Sequence, residues 1–338
     1  MRPKPADGPN ETAVSRFVER ELERLIGREG GVDPEMWERA IALPAREFLT
    51  RPGKQVRGRL VEAGWGIAGG EGEPPVELSV AMEVLHAGSL IVDDIEDGSV
   101  ERRGGPSLHR IFGLPTALNT GNLFYFLGLE LISRLDLSAA DAAAAHRRAV
   151  QTSLRCHHGQ ALDLSICVTE LARRDVPKVV STVTSLKTGS LTELAAALGA
   201  LAAGAPADRV EALAGLGREL GVALQMLDDL SGVVSASRRD KGLEDLRLLR
   251  PTWPWAWLAE EAGDIAFAHA QELGKRVVEG QPAAELADFL AEAVAERGRL
   301  IARGRIQPAA QALRAQVGAS PHLDAVEHEI QRLEESFA

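Results

Sequence analysis

The densest chemistry in the chain is the run Asp93-Asp94-Ile95-Glu96-Asp97. On a helix Asp93 and Asp97 are four apart and share a face, with Asp94 beside them. The run closes an apolar stretch over residues 76–92, so its carboxylates need a counter-charge wherever they leave water. Such a group of hard oxygens suits magnesium, which combines one or two carboxylates with substrate phosphates. A lone DDxxD also occurs as a solvated acidic helix end, so its neighbours decide. Arg102-Arg103-Gly104-Gly105 begins five residues after Asp97. Its forked guanidinium groups either neutralise the carboxylates or clamp a diphosphate. A second acidic pair, Asp228-Asp229, closes another apolar stretch 135 residues after the first. Set across a helical cavity, the two pairs would hold metals around a diphosphate.

Basic and polar residues extend the pattern. Gly53-Lys54-Gln55-Val56-Arg57 follows a proline and opens a helix. Free N–H groups at that end, with Lys54 and Arg57, suit an anion. Lys187-Thr188-Gly189 interrupts a long apolar stretch, where a lysine needs a partner or a cavity; a ligand role and a helix kink are both open. Gln160 and Asp163 share a helical face, as a satisfied polar patch or as part of a site.

These residues are carried by helical elements. Apolar residues recur three to four apart over 14–26, with Phe17, Leu22, Leu25 and Ile26, and again over 76–92, 118–135, 179–203 and 209–230. No stretch alternates with period two, which argues against a sheet. Breaks fall at Arg51-Pro52-Gly53, at residues 69–75 and at Gly204-Ala205-Pro206, and residues 240–254 read as a polar loop. The expectation is a flexible segment over residues 1–12 and a single all-α domain over 13–338. A formal net charge of −11 removes the electrostatic footprint of a nucleic-acid binder, and any anionic substrate then needs local cations. Cys156 and Cys167 form no zinc or redox pattern and read as two small buried side chains. Neither a signal peptide nor a spanning helix is expected, which points to the cytoplasm.

Taken together, these motifs resemble the trans-isoprenyl diphosphate synthases, and most closely the eukaryotic-type geranylgeranyl diphosphate synthases. The run DDIEDGSVERRG at 93–104 matches that family's DDxxD, four residues, then RRG. PGKQVR at 52–57, LIVDDIED at 90–97 and LNTGNLFYFLGLE at 118–130 match as well. The resemblance covers residues 52–254. It implies the all-α isoprenoid synthase bundle with a central cavity, and about two to three magnesium ions. It implies metal ligands at Asp93, Asp94, Asp97, Asp228 and Asp229. It places the allylic diphosphate on Arg102, Lys187, Gln225 and Lys241, and isopentenyl diphosphate on Gly53, Lys54, Arg57, His86 and Arg103. Thr188, Gln160 and Gln225 would line the reacting centre beside the catalytic Asp93, Asp94, Asp97 and Lys187. A homodimer or larger homo-oligomer is implied too, without membrane insertion.

The chain departs from the family pattern in places. The second motif reads DDLSG, with Gly232 where many members carry a fifth carboxylate, and Gly121-Asn122 stands where many carry Gly-Asp. The segment 238–245 is short, which loosens the match of Lys241. Gly88 and Ser89, five and four residues before Asp93, occupy positions where a large aromatic stops growth at fifteen carbons in the family. Small residues there imply a product of twenty carbons or more, and a Gly88→Phe substitution would shorten it. Two other readings stand beside this one. A terpene cyclase on the same scaffold needs no isopentenyl diphosphate site, so Lys54, Arg57 and Arg103 speak against it. A non-catalytic partner subunit draws support from Gly232 alone.

Overall fold

Apolar residues three and four apart become helices throughout the described residues. The computed structural model describes residues 13–25, 31–53, 55–236, 238–318 and 320–336. Among these it is all-α apart from two strands of two residues each. The segment 1–12 and Lys54 lie outside the described residues. The chain forms two compact units, Met1–Arg59 with Pro75–Leu137, and Leu60–Pro74 with Ser138–Ala338.

The first unit contains α1 (Ala13–Leu25), α2 (Pro34–Trp37), a π-helical turn at Glu38–Ala42, α3 (Leu43–Leu49) and the first turn of α4 (Val56–Ala68). It continues with α5 (Val76–Glu96), the hairpin β1 (Glu101–Arg102) and β2 (Gly105–Pro106), α6 (Leu108–Phe112) and α7 (Leu114–Ser133). The Asp33 carboxylate accepts the Glu35 N–H at 2.9 Å, and Pro34 occupies a first-turn position where no N–H is needed.

Helices α5 and α7 pack along their length, burying Leu78, Leu85 and Ile91 against Phe124, Leu127 and Leu131. Gly88 lies in this seam. A Cβ added there would sit 2.8 Å from the Gly121 carbonyl oxygen and 3.1 Å from the Phe124 Cβ. Gly88 is therefore turned into α7, and its size serves close helix approach. Close packing is thus a demand for a small residue at Gly88 beside the expected place on a product tunnel. Ser89, its neighbour, is half-buried and donates to the His86 carbonyl at 2.8 Å.

The second unit contains the rest of α4, then α8 (Ala139–Ser165), two 3₁₀ turns (Val168–Glu170 and Arg173–Asp175) and α9 (Val176–Thr184). A π-helical turn at Ser185–Gly189 leads into α10 (Ser190–Ala202), followed by α11 (Ala207–Val234), α12 (Arg239–Arg247) and α13 (Trp253–Glu261). The last elements are α14 (Asp264–Val278), α15 (Ala284–Val317) and α16 (Pro321–Ser336). Its core gathers Met226, Leu230, Leu273 and Leu290 around Trp253, Trp255 and Trp257. Each indole buries a large apolar area, and Trp253 lies 5.8 Å from Trp257 between ring centroids.

Two expectations change here. Residues 240–254, read as a polar loop, are largely helical, because Leu246 and Leu249 turn into the core at 2% exposure. Cys156 and Cys167 are half-buried rather than enclosed.

Candidate active site

In the first unit α5 delivers its carboxylates at its last turn. Asp97 caps the helix, with its N–H donating to the Asp93 carbonyl at 2.9 Å. Asp93 and Asp97 are half-buried, whereas the Asp94 side chain is 1% exposed. Arg102 reaches back from β1 and meets Asp94 Oδ1 with Nε at 2.7 Å and Nη2 at 2.5 Å. Its Nη2 also lies 3.5 Å from Asp93 Oδ2. Burial pushes the Asp94 carboxyl above the usual carboxylate range, and the Arg102 contact opposes that rise. Asp94 thus anchors the guanidinium of Arg102.

The donor set fits magnesium held jointly with a ligand. Asp93 and Asp97 offer hard oxygens one helical turn apart, and Asp94 Oδ2 is buried with no hydrogen-bond partner. Among the described residues, no three Asp, Glu, His or Cys groups converge as a cage for a bare cation.

Basic residues gather beside this cluster. Gly53 lies against Arg103, so a Cβ at Gly53 would sit 3.2 Å from the guanidinium carbon. Arg103 stacks over the Phe48 ring at 5.6 Å. Its own burial, the largest influence, with the charges of Arg102 and Arg51, lowers its pKa. The His86 imidazole is held well below its ordinary pKa by burial first, then by Arg57, Arg103 and Arg102. It is therefore neutral near pH 7, a hydrogen-bond donor among cations. Glu83 accepts the Gly58 N–H at 3.1 Å, so part of the α4 N-terminus is capped from within the chain. Gly53, Arg57, His86 and Arg103 thus share one neighbourhood.

In the second unit Lys187 and Thr188 sit on the π-helical turn. Such turns widen a helix locally and recur at functional sites; at Lys187-Thr188-Gly189, where a kink and a ligand role are both open, the helix is locally irregular. Lys187 Nζ pairs with Asp163 Oδ2 at 2.6 Å. Gln160 lies one turn earlier on α8 and is half-buried. Thr188 Oγ1 donates to Gln225 Oε1 at 2.9 Å, and Gln225 Nε2 donates to Asp229 Oδ1 at 2.7 Å. Asp229 Oδ2 accepts the Trp253 backbone N–H at 3.0 Å. Both oxygens of Asp229 are therefore engaged, which orients the Gln225 amide. Asp228 pairs instead with Arg238. Lys241 falls on α12, with its side chain outside the described residues.

Sequence reasoning missed several contributors. Arg250 donates to the Asp163 carbonyl at 2.7 Å, beside the Lys187 pair. Arg51, Phe48 and Glu83 support the arginines of the first unit. None belongs to a recognisable motif, and only the Arg51-Pro52-Gly53 break hinted at one of them.

The polyprenyl synthetase family matches residues 38–289 of the 338. The chain belongs to that family. A geranylgeranyl pyrophosphate synthase of Apiospora sacchari is 35% identical over 215 residues, 60% of this chain and 58% of that protein. One of Hericium erinaceus is 42% identical over 105 residues, 30% of this chain and 31% of that protein. The matched stretches thus span less than two thirds of these relatives' length. Among solved structures, the geranylgeranyl pyrophosphate synthetase of Pyrococcus horikoshii is 26% identical with a TM-score of 0.75, covering 95% of each chain. A Caulobacter crescentus polyprenyl synthase, complexed with calcium and isoprenyl diphosphate, shares the fold. It is 21% identical with a TM-score of 0.79 and covers 96% of this chain and 95% of that one. This polyprenyl synthetase chain therefore has the all-α fold that its motifs implied. No helix among its described residues is long and apolar enough to cross a membrane.

Proposed function

We propose that the chain is a trans-prenyltransferase that joins isopentenyl diphosphate to an allylic diphosphate, with geranylgeranyl diphosphate as product. The observation that carries this reading is the pairing of the Asp93–Asp97 helix end with Arg102, beside a neighbourhood of Gly53, Arg57, His86 and Arg103. A cyclase has no use for that second, cationic neighbourhood.

In this reading Asp93, Asp94 and Asp97, and likewise Asp228 and Asp229, are carboxylates that would ligate magnesium, about two to three ions in all. When bound, magnesium offsets the negative charge that builds on a departing diphosphate. Arg102 and Lys187 hold allylic phosphate oxygens, with Lys241 and Gln225 as further contacts. Arg57 and Arg103 hold isopentenyl diphosphate, with Lys54 as a third cation and neutral His86 as a donor. Thr188 gives its one hydroxyl proton to Gln225, which leaves its oxygen lone pairs for a cation. The double bond of isopentenyl diphosphate attacks the allylic carbon, and the proton lost afterwards passes to the released diphosphate.

Support for the twenty-carbon product comes from Ser89 and from relatives named for it. The reading includes a homodimer, supported by an exposed apolar line on α7 where Leu118 is 37% and Phe126 71% exposed. The test is incubation with magnesium, isopentenyl diphosphate and each of the five-, ten- and fifteen-carbon allylic diphosphates. Products are dephosphorylated and sized by chromatography. A metal-dependent twenty-carbon alcohol is expected; folded protein that elongates none of the three primers would overturn the reading.

A further inference from the structure

Arg51 follows α3, and its side chain is only 8% exposed. A buried guanidinium is costly unless its donors are matched. Here they are matched by both strands of the β1–β2 hairpin. Nη1 donates to the Arg102 carbonyl at 2.9 Å and Nη2 to the Pro106 carbonyl at 2.8 Å. Nη2 also meets Glu47 at 3.1 Å. Gly105 leaves the room: a Cβ there would lie 3.3 Å from the Arg51 guanidinium carbon.

Phe48 joins Arg51 to Arg103. Its ring is fully buried, and it carries the Arg51 guanidinium at 5.7 Å and that of Arg103 at 5.6 Å. Two cations on one aromatic ring repel each other, and the ring quadrupole offsets part of that cost. Arg103 also sits at φ 52°, a left-handed backbone that only a well-held turn gives a non-glycine residue. Arg102 differs, because Asp94 anchors its side chain independently. The supports of Arg103 are Phe48, the Gly53 backbone and the hairpin that Arg51 grips.

We propose that Arg51 is a positioning residue for isopentenyl diphosphate, fixing Arg103 through the hairpin and the shared Phe48 ring. The proposal rests on the prenyltransferase reading above. A lysine at 51 keeps the charge but loses the fork that spans two carbonyls. The effect therefore separates geometry from net charge.

The test uses the full chain, as wild type, Arg51→Lys and Phe48→Leu, each checked for folding by thermal melting. Isopentenyl diphosphate is titrated by calorimetry, and KM and kcat are measured for both substrates. Arg51→Lys is expected to weaken isopentenyl diphosphate about tenfold, the weight of one charge-assisted hydrogen bond. The KM for farnesyl diphosphate and kcat should stay within about twofold. Phe48→Leu, which keeps most of the apolar volume but removes the ring face, should shift the same constant in the same direction. Unchanged isopentenyl diphosphate binding in folded Arg51→Lys or Phe48→Leu would overturn the assignment. So would an equal loss for both substrates. Wild-type protein that binds no isopentenyl diphosphate would instead overturn the functional reading, and this assignment with it.

Discussion

Gly232 and Gly242 bring α11 and α12 into backbone contact: a Cβ added to Gly242 would fall 2.0 Å from the Gly232 carbonyl oxygen, and one added to Gly232 would fall 3.0 Å from the Gly242 Cα. The position where many family members carry a fifth carboxylate is thus occupied by a helix crossing. Gly232 is required by packing, and its lack of a carboxylate follows from that.

Gly242→Ala should therefore cost more stability than Gly232→Ala, since its clash is with backbone at the shorter distance. Overpacking of this kind costs roughly 1–3 kcal/mol. Gly232→Asp, which restores the common motif on paper, should lower the melting temperature without reducing the magnesium needed for activity. Calorimetric melting and a magnesium titration check both points. A more stable Gly232→Asp chain with a lower magnesium requirement would contradict them.

The two aspartates of the second motif should behave differently. Asp229 is tied to Gln225 and to the Trp253 N–H, whereas Asp228 faces Arg238. Asp228→Asn should raise the magnesium concentration for half-maximal rate. Asp229→Asn should lower kcat by about tenfold or more, because Gln225 and Thr188 lose their orientation, and should raise the magnesium requirement less than Asp228→Asn does. Initial rates across a magnesium series separate the two outcomes.

The motifs of this site were legible because each is local. Asp93, Asp97, Arg102 and Arg103 lie within a dozen residues, and their types alone name the chemistry. What was hidden depends on tertiary direction. Gly88 and Ser89 are adjacent in sequence, yet helical geometry sends Gly88 into α7. Residues 240–254 looked polar because only a thin face of α12 is apolar, and Leu246 needs the core of the second unit to show its purpose. Arg51 matches no motif, because its role is to hold the carbonyls of Arg102 and Pro106, more than fifty residues away.

Product length should follow the same geometry. Ser89→Phe should shift the product toward fifteen carbons while the fold is kept. Gly88→Phe should chiefly destabilise the α5–α7 pair, since its side chain would enter the Gly121 and Phe124 contact. Chromatographic sizing together with thermal melting tests the pair. A stable Gly88→Phe chain with a shortened product would reverse the assignment.

His86 gives a prediction in pH. Its folded pKa lies well below the ordinary histidine value of about 6.5. The unfolded chain therefore takes up a proton first as pH falls. The stability contributed by neutral His86 is complete above about pH 6.5, and it is lost progressively as pH drops toward the folded pKa. His86→Gln, a neutral donor, should flatten that part of the stability profile and bind isopentenyl diphosphate within a few-fold of wild type. His86→Leu should flatten the profile equally and lose affinity. Denaturant melts at several pH values, with calorimetric titration, check both.

The most direct test of the central claim is to follow release of inorganic diphosphate from farnesyl diphosphate, with magnesium, in the presence and absence of isopentenyl diphosphate. The account predicts release only when both substrates are present, with one twenty-carbon product formed per diphosphate. Release of equal rate without isopentenyl diphosphate, with cyclic hydrocarbon as product, would contradict it.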